Sequence, residues 1–180
     1  MFDVHFPPMR PPSRQILSVE EAFGRNSWHC ELVEGRDVLR AVFSGHHTRI
    51  EMVVQAYTPM NALAVMGEMP LPLDEEHQPY LLELLARANK SLNLGGFEFD
   101  IDRQRLVFRI TNIFEKELYD SDIVSSMVHC AVAETDRIAP YAMTVVRTPE
   151  DLLEDLDIKR LLQREDLIPP VPGDEEEDYL

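Results

Sequence analysis

The stretch from Pro70 to Ile138 most constrains how this chain can fold. A long helical pattern, the pair Gly95-Gly96, an alternating hairpin and a second long helical pattern follow one another there. Asp74 is placed to cap the first helix, where Leu81, Leu85, Ala88 and Leu92 share one stripe that Leu82, Leu84 and Ala86 widen. The glycines are expected to close that helix, because glycine adopts the left-handed terminal conformation without a Cβ penalty. If Arg103-Gln104 is a two-residue loop, Phe97 faces Ile110, Phe99 faces Phe108 and Ile101 faces Leu106, with Glu98 opposite Arg109 on the other side. The second helix is predicted to start near Asp120 or Ser121 and to carry Ile123, Val124, Met127, Val128, Ala131, Thr135 and Ile138 on one side. Pro140 is expected to end or kink it.

Upstream, Ser18 stands three residues before Glu21 in the pattern of a capping box, which predicts a short helix ending near Gly24. Period-two segments follow: Trp28, Cys30 and Leu32; Leu39, Ala41 and Phe43; Ile50, Met52, Val54 and Ala56; Leu63, Val65 and Met69. Turn residues separate them, so they read as strands of one antiparallel meander. Together these patterns predict an α+β fold, an antiparallel β-meander plus a C-terminal hairpin packed against two long helices.

Residues 1–14, MFDVHFPPMRPPSR, read as a flexible proline-rich arm, because Pro7, Pro8, Pro11 and Pro12 fix φ and withhold backbone donors. Residues 15–146 form the α+β domain, 147–168 an acidic helical extension that docks on the domain or on a second copy, and 169–180 a disordered acidic tail. The formal net charge is −16, and more than half of it lies after Pro149. Such a chain is repelled by nucleic-acid backbones and anionic lipid, so neither is expected as a partner. Two cysteines far apart in apolar patterns fit reduced thiols, and with no apolar leader or spanning run the expected setting is the cytoplasm, without membrane insertion.

No reaction is legible. His29-Cys30, His46-His47, His77 and His129-Cys130 show neither CxxC nor HExxH spacing; neighbours on a strand point to opposite faces, and neighbours on a helix diverge by about 100°. There is no GxSxG elbow, and Gly95-Gly96 precedes a strand, the reverse of the order in which phosphate-binding loops lead into a helix. The reading is of a non-enzyme with no cofactor and no metal.

Residues 70–142 resemble the YbjN family of bacterial proteins, whose fold looks like that of type III secretion chaperones. The resemblance is carried by the MPLPLDEE run before the first long helix, Asn89, the Gly95-Gly96-Phe97 junction, the hairpin through Phe108, and AETDRIAP late in the final helix. It implies an antiparallel sheet packed by helices, a cytoplasmic setting, and regulation or chaperone-like binding of other proteins. It implies no catalytic residues.

The expected function is therefore that of a protein-binding module, acting as a chaperone, assembly factor or regulator, with a homodimer also plausible. Val33, Val53, Tyr57 and Val107 fall on the outward side of their strands among Glu31, Glu51, Arg105 and Arg109, a pattern suited to an interface. Asp178, Tyr179 and Leu180 offer a second candidate, a short peptide read by a partner beyond an acidic spacer. The alternative is a small-molecule-responsive signalling domain with its ligand between the sheet and the final helix.

Overall fold

The computed structural model describes residues 11–167. Pro11 and Pro12 hold the chain extended up to Ser13, the first residue able to cap, and its hydroxyl accepts from the Ile16 amide to open α1 (Arg14–Arg25). The helix thus begins a turn earlier than the Ser18 capping box predicts. Ser18 lies inside it, where its hydroxyl donates to Gln15 O and accepts from the Tyr119 amide, tying α1 to a distant loop.

Six strands form one antiparallel sheet: β1 (Cys30–Leu32), β2 (Val38–Ser44), β3 (Arg49–Tyr57), β4 (Ala62–Pro70), β5 (Gly96–Asp100) and β6 (Arg105–Ile113), in the order β1-β2-β3-β4-β6-β5. The predicted meander and hairpin are both present, and the hairpin joins the meander through β6. Trp28 stands in the turn before β1 and not within a strand; its ring packs edge-on to Phe23, Phe43 and His129.

The hairpin register differs by two residues from the expected one. Phe97 faces Phe108, Glu98 faces Val107 and Phe99 faces Leu106, so residues 101–104 make a four-residue connection and Ile101 is 52% exposed. A two-residue turn of the favoured type needs positive φ at both central positions, and arginine and glutamine resist that conformation. In the wider loop only Gln104 takes it, at φ 52°. Gln104 is held from outside, accepting from Leu71 N through its backbone carbonyl and from Leu73 N through its side chain. Because the slip is even, the side chains that remain in the strands keep their predicted faces, while Ile101 leaves the apolar face for the loop.

Helix α2 (Gln78–Ser91) buries Leu81, Leu84, Leu85 and Ala88 and ends with Leu92 as its C-cap, before the glycine pair. Gly95 serves the strand instead: at φ +72°, a Cβ there would sit 2.6 Å from the Phe108 ring and 2.7 Å from Arg109 O. Helix α3 (Ser121–Arg147) starts at the predicted place, with the Asp120 carboxylate accepting from the Asp122 and Ile123 amides, but passes through Pro140 without ending. Beyond the proline, Tyr141, Ala142 and Val145 are buried, and their packing outweighs the single backbone bond that proline forfeits.

All three helices lie on one side of the sheet. Their core includes Ile16, Phe23, Leu39, Met52, Val54, Leu63, Val65, Phe108, Val128 and Ile138, each at most 1% exposed. Gly67 lets helix α3 approach the sheet closely, since a Cβ there would come within 2.4 Å of Thr135 Oγ1 and 3.0 Å of Ala131 O. A 3-10 turn (Glu150–Asp155) and a short helix α4 (Ile158–Leu161) then return over the domain, burying Leu153, Ile158 and Leu161. Tyr141 Oη donates to Arg164 O at 3.0 Å and fixes the end of this segment.

Candidate partner-binding surfaces

The face of the sheet away from the helices collects three of the residues that sequence alternation pointed outward. Val53, Tyr57 and Val107 pack with Ala64 and Met66 into one small apolar island. Ala64, Met66 and Val107 are nearly sealed, at 1, 7 and 5% exposure, with half-buried Val53 and Tyr57 packed against them. Val33 is not part of the island; it lies in the β1–β2 connection, half-buried, with its amide donating to Val38 O. Asp178, Tyr179 and Leu180 lie outside the described residues.

Charge frames the island. Glu51 and Glu68 stand directly opposite each other on β3 and β4, a pairing that alone would be repulsive. Arg105 on β6 resolves it, placing Nη1 2.8 Å from Glu51 and 3.8 Å from Glu68, while Arg103 reaches Glu68 at 3.2 Å. Glu68 is thereby almost fully buried on an outer face. Arg109 forks onto both oxygens of Glu98, at 2.9 and 3.2 Å, a diagonal pair, since its direct partner across the hairpin is Gly96. Apolar centre and paired rim together leave little bare hydrocarbon over β4 and β6, whereas Val42 on β2 stays 50% exposed.

A different surface, which sequence reasoning missed, is left open. Strand β6 pairs with β4 as far as Ile113, but β5 covers it only to Arg109. The Phe114 amide donates to Asn61 O, so by alternation along an antiparallel ladder the backbone groups of Thr111 and Ile113 point to the uncovered side. A groove of about 400 Å³ adjoins this edge, lined by Leu94, Ile110, Thr111, Ile123, Met127 and Cys130 among others. Leu94, Ile113 and Ile123 are 66, 73 and 44% exposed. Such a site depends on where β5 starts relative to β6, and no single residue announces that.

The outer edge of β5 is capped at Phe97. The Asn89 carboxamide accepts from Phe97 N at 2.7 Å and donates to Phe97 O at 3.0 Å, mimicking a neighbouring strand. Asn89 stands out in the sequence, and this pairing gives it a physical role, that of blunting an edge that would otherwise invite another chain.

Two further polar joints hold the frame. Asp136 on α3 accepts the His46, His47 and Thr48 amides at 3.0, 2.7 and 3.1 Å, gripping the β2–β3 turn. Gly45 permits the approach, since a Cβ there would overlap the carboxylate. Buried His77 donates from Nε2 to Thr148 O at 2.8 Å and pairs through Nδ1 with Asp74, joining the start of α2 to the end of α3. Its pKa is raised, first by the Thr148 carbonyl and then by Asp74, against the opposing effect of burial.

Little here suits chemistry on a substrate. Burial raises the thiol pKa of both Cys30 and Cys130, with Glu20 and Glu134 adding to it, which keeps them as poor nucleophiles. Tyr119, pushed up to about 12 by burial, spends its hydroxyl on Ala62 O. The carboxylates of Asp74, Glu76 and Glu150 come within 4.8 Å of one another but all are exposed, and we assign them no ligand. Among the described residues, no helix is long and apolar enough to cross a membrane.

No family model and no curated protein matches the chain. A search of solved structures finds similarity to a chain in the heterodimeric complex ExoU-SpcU from the type III secretion system of Pseudomonas aeruginosa. The match has a TM-score of 0.39 and 16% identity, and covers 60% of this chain and 83% of that one. A likeness that remote carries none of the functional argument.

Proposed function

We propose that the chain is a non-enzymatic protein-binding module that takes up an extended segment of another protein along the tip of β6. The observation that carries this reading is the open edge itself: backbone groups of Thr111 and Ile113 without a strand partner among the described residues, beside an apolar groove. An added strand would satisfy the backbone, and its alternate side chains would enter the groove over Leu94 and Ile123. A chaperone, assembly factor or regulator needs a site of this kind, able to hold a chain without altering it. Residues 15–146 supply the binding domain, and the 147–168 segment braces α2 and α3. The free thiols of Cys30 and Cys130 support a cytoplasmic setting. A homodimer would use the same open edge.

Selection of a peptide library against the intact chain tests the reading. Recovered peptides should alternate apolar and polar residues, and Ile123→Asp or Leu94→Asp should weaken them by about thirtyfold, the loss typical of a central interface residue. Unchanged affinity in both variants would sink the proposal. The groove also suits a second reading, because its size and apolar lining between sheet and α3 fall within the range of small-ligand pockets. In that case a small apolar ligand would bind with unchanged affinity when Thr111 and Ile113 carry backbone esters, whereas an added strand would lose affinity.

A further inference from the structure

We propose that a hollow on the outer face of the sheet, lined by arginines, is the docking surface for the chain's own acidic C-terminal segment, Asp174-Glu175-Glu176-Glu177-Asp178-Tyr179-Leu180. The hollow measures about 410 Å³, and its lining includes Arg40, Val42, Arg49, Val53, Arg103 and Arg105. Three carboxylates also line it. Glu51 and Glu68 are engaged by Arg105 and Arg103, and Glu31 stands across the β1–β2 register from Arg40. Four arginines against three glutamates leave the hollow cationic, within a chain whose formal charge is −16.

Arg40 and Arg49 give the hollow its unspent charge. Both are exposed, and among the described residues neither has an ion-pair partner. Between them lies Val42, 50% exposed on β2, with half-buried Val53 beside it on β3. The surface thus offers guanidinium groups around a small apolar floor. The C-terminal segment offers the complement, five consecutive carboxylates followed by Tyr179 and Leu180. Two sets of residues that stood out in the sequence as separate binding candidates, Val53 and its neighbours on one side and Asp178-Tyr179-Leu180 on the other, become each other's partner.

Chain length permits the contact. The described chain stops at Leu167, just beyond Arg164, whose carbonyl is bound by Tyr141. Neighbouring Pro140 shares a surface pocket with Met69 and Pro70, and Glu68 of the hollow is next along that strand. Residues 168–180 extended would reach about 40 Å, enough to pass the end of β4 and turn onto the outer face. A short tether supplies an effective concentration on the order of millimolar, so a contact of only millimolar strength is occupied about half of the time.

Arginine side-chain and valine methyl NMR signals of the full chain test the assignment. The comparison is with a full-length variant whose tail is neutralised by D174N, E175Q, E176Q, E177Q and D178N. Signals of Arg40, Arg49, Val42 and Val53 should shift between the two while those of Ile123 and Met127 stay fixed. Adding the peptide GDEEEDYL to the neutralised protein should restore the original positions, less completely as salt screens the contact. Arg40→Glu with Arg49→Glu, both on the surface, should abolish that restoration. Identical spectra for the two proteins would overturn the proposal, as would shifts confined to Leu94 and Ile123. Shifts that grow with protein concentration would overturn it too, since they would place the tail on a second copy.

Discussion

The two faces of this sheet are built from the same strands and differ by one residue of register, yet they are held by different physics. Phe108 faces the helices, fully buried in a continuous core that α1, α2 and α3 close. Val107, its neighbour, faces outward and is nearly as inaccessible, at 5%, but its cover is an island of a few side chains ringed by Arg105, Arg109 and their carboxylates. Low exposure therefore means different things on the two sides. Inside, it reports a continuous hydrocarbon core; outside, it reports a five-residue apolar island with ion pairs at its rim.

Urea denaturation of Phe108→Ala and Val107→Ala is the sharpest way to break that comparison. The inner substitution should cost roughly 3–5 kcal/mol, through lost transfer energy plus the cavity left in a rigid surround. The outer one should cost about 1 kcal/mol, since the covering side chains can collapse into the space. Equal losses would mean that the island is as tightly packed as the core.

Next in size is the joint that carries the inner layer to the rim. Asp136→Ala removes the acceptor of three backbone amides in the β2–β3 turn and should cost about 2 kcal/mol, discounted for the exposure of that turn. Hydrogen exchange of His47 and Thr48 should accelerate in the same variant. Unchanged exchange would show that the turn holds itself.

A smaller effect belongs to His77. Its pKa is raised in the folded state, so its contribution is fully present below the ordinary histidine value of 6.5 and fades as pH rises through the higher folded value. Stability of the native chain should therefore fall on going upward from neutral pH, relative to a His77→Gln variant measured alongside. Parallel pH profiles would remove the histidine from this role. The least effect is expected at the rim: Glu98→Gln breaks an exposed pair with Arg109 and should change stability by no more than about 0.5 kcal/mol.

Strand alternation alone made the inner and outer sets legible. A period-two pattern through Ile50, Met52, Val54 and Ala56 admits one buried face, and the apolar spacing of α2 and α3 admits one buried stripe. That is why a hairpin register wrong by two residues still assigned the faces of Phe97, Phe99 and Phe108 correctly, and lost only Ile101 to the loop. The misplaced ends share a cause. The Ser18 cap and the Gly95-Gly96 helix stop were local rules, and in each case a contact with a distant residue overrode them, Tyr119 for Ser18 and Phe108 for Gly95; of the end or kink expected at Pro140, the end is absent, because Tyr141, Ala142 and Val145 beyond it are buried. Of the candidate partner-binding residues, alternation brought Val53, Tyr57 and Val107 together, while Val33 failed to join because its strand ends at Leu32. The groove beside β6 left no trace in the sequence, since it arises from the stagger between two strands.

The chain's residues by themselves determined which atoms must leave water, and through their periods of two and about 3.6 which side of each element does so, because burial of apolar surface follows from geometry local to a strand or helix. Where one element stops against another was settled only in three dimensions. Asn89 caps one edge at Phe97 and the late start of β5 opens the next, because unpaired backbone groups are defined by neighbours that the linear order does not specify.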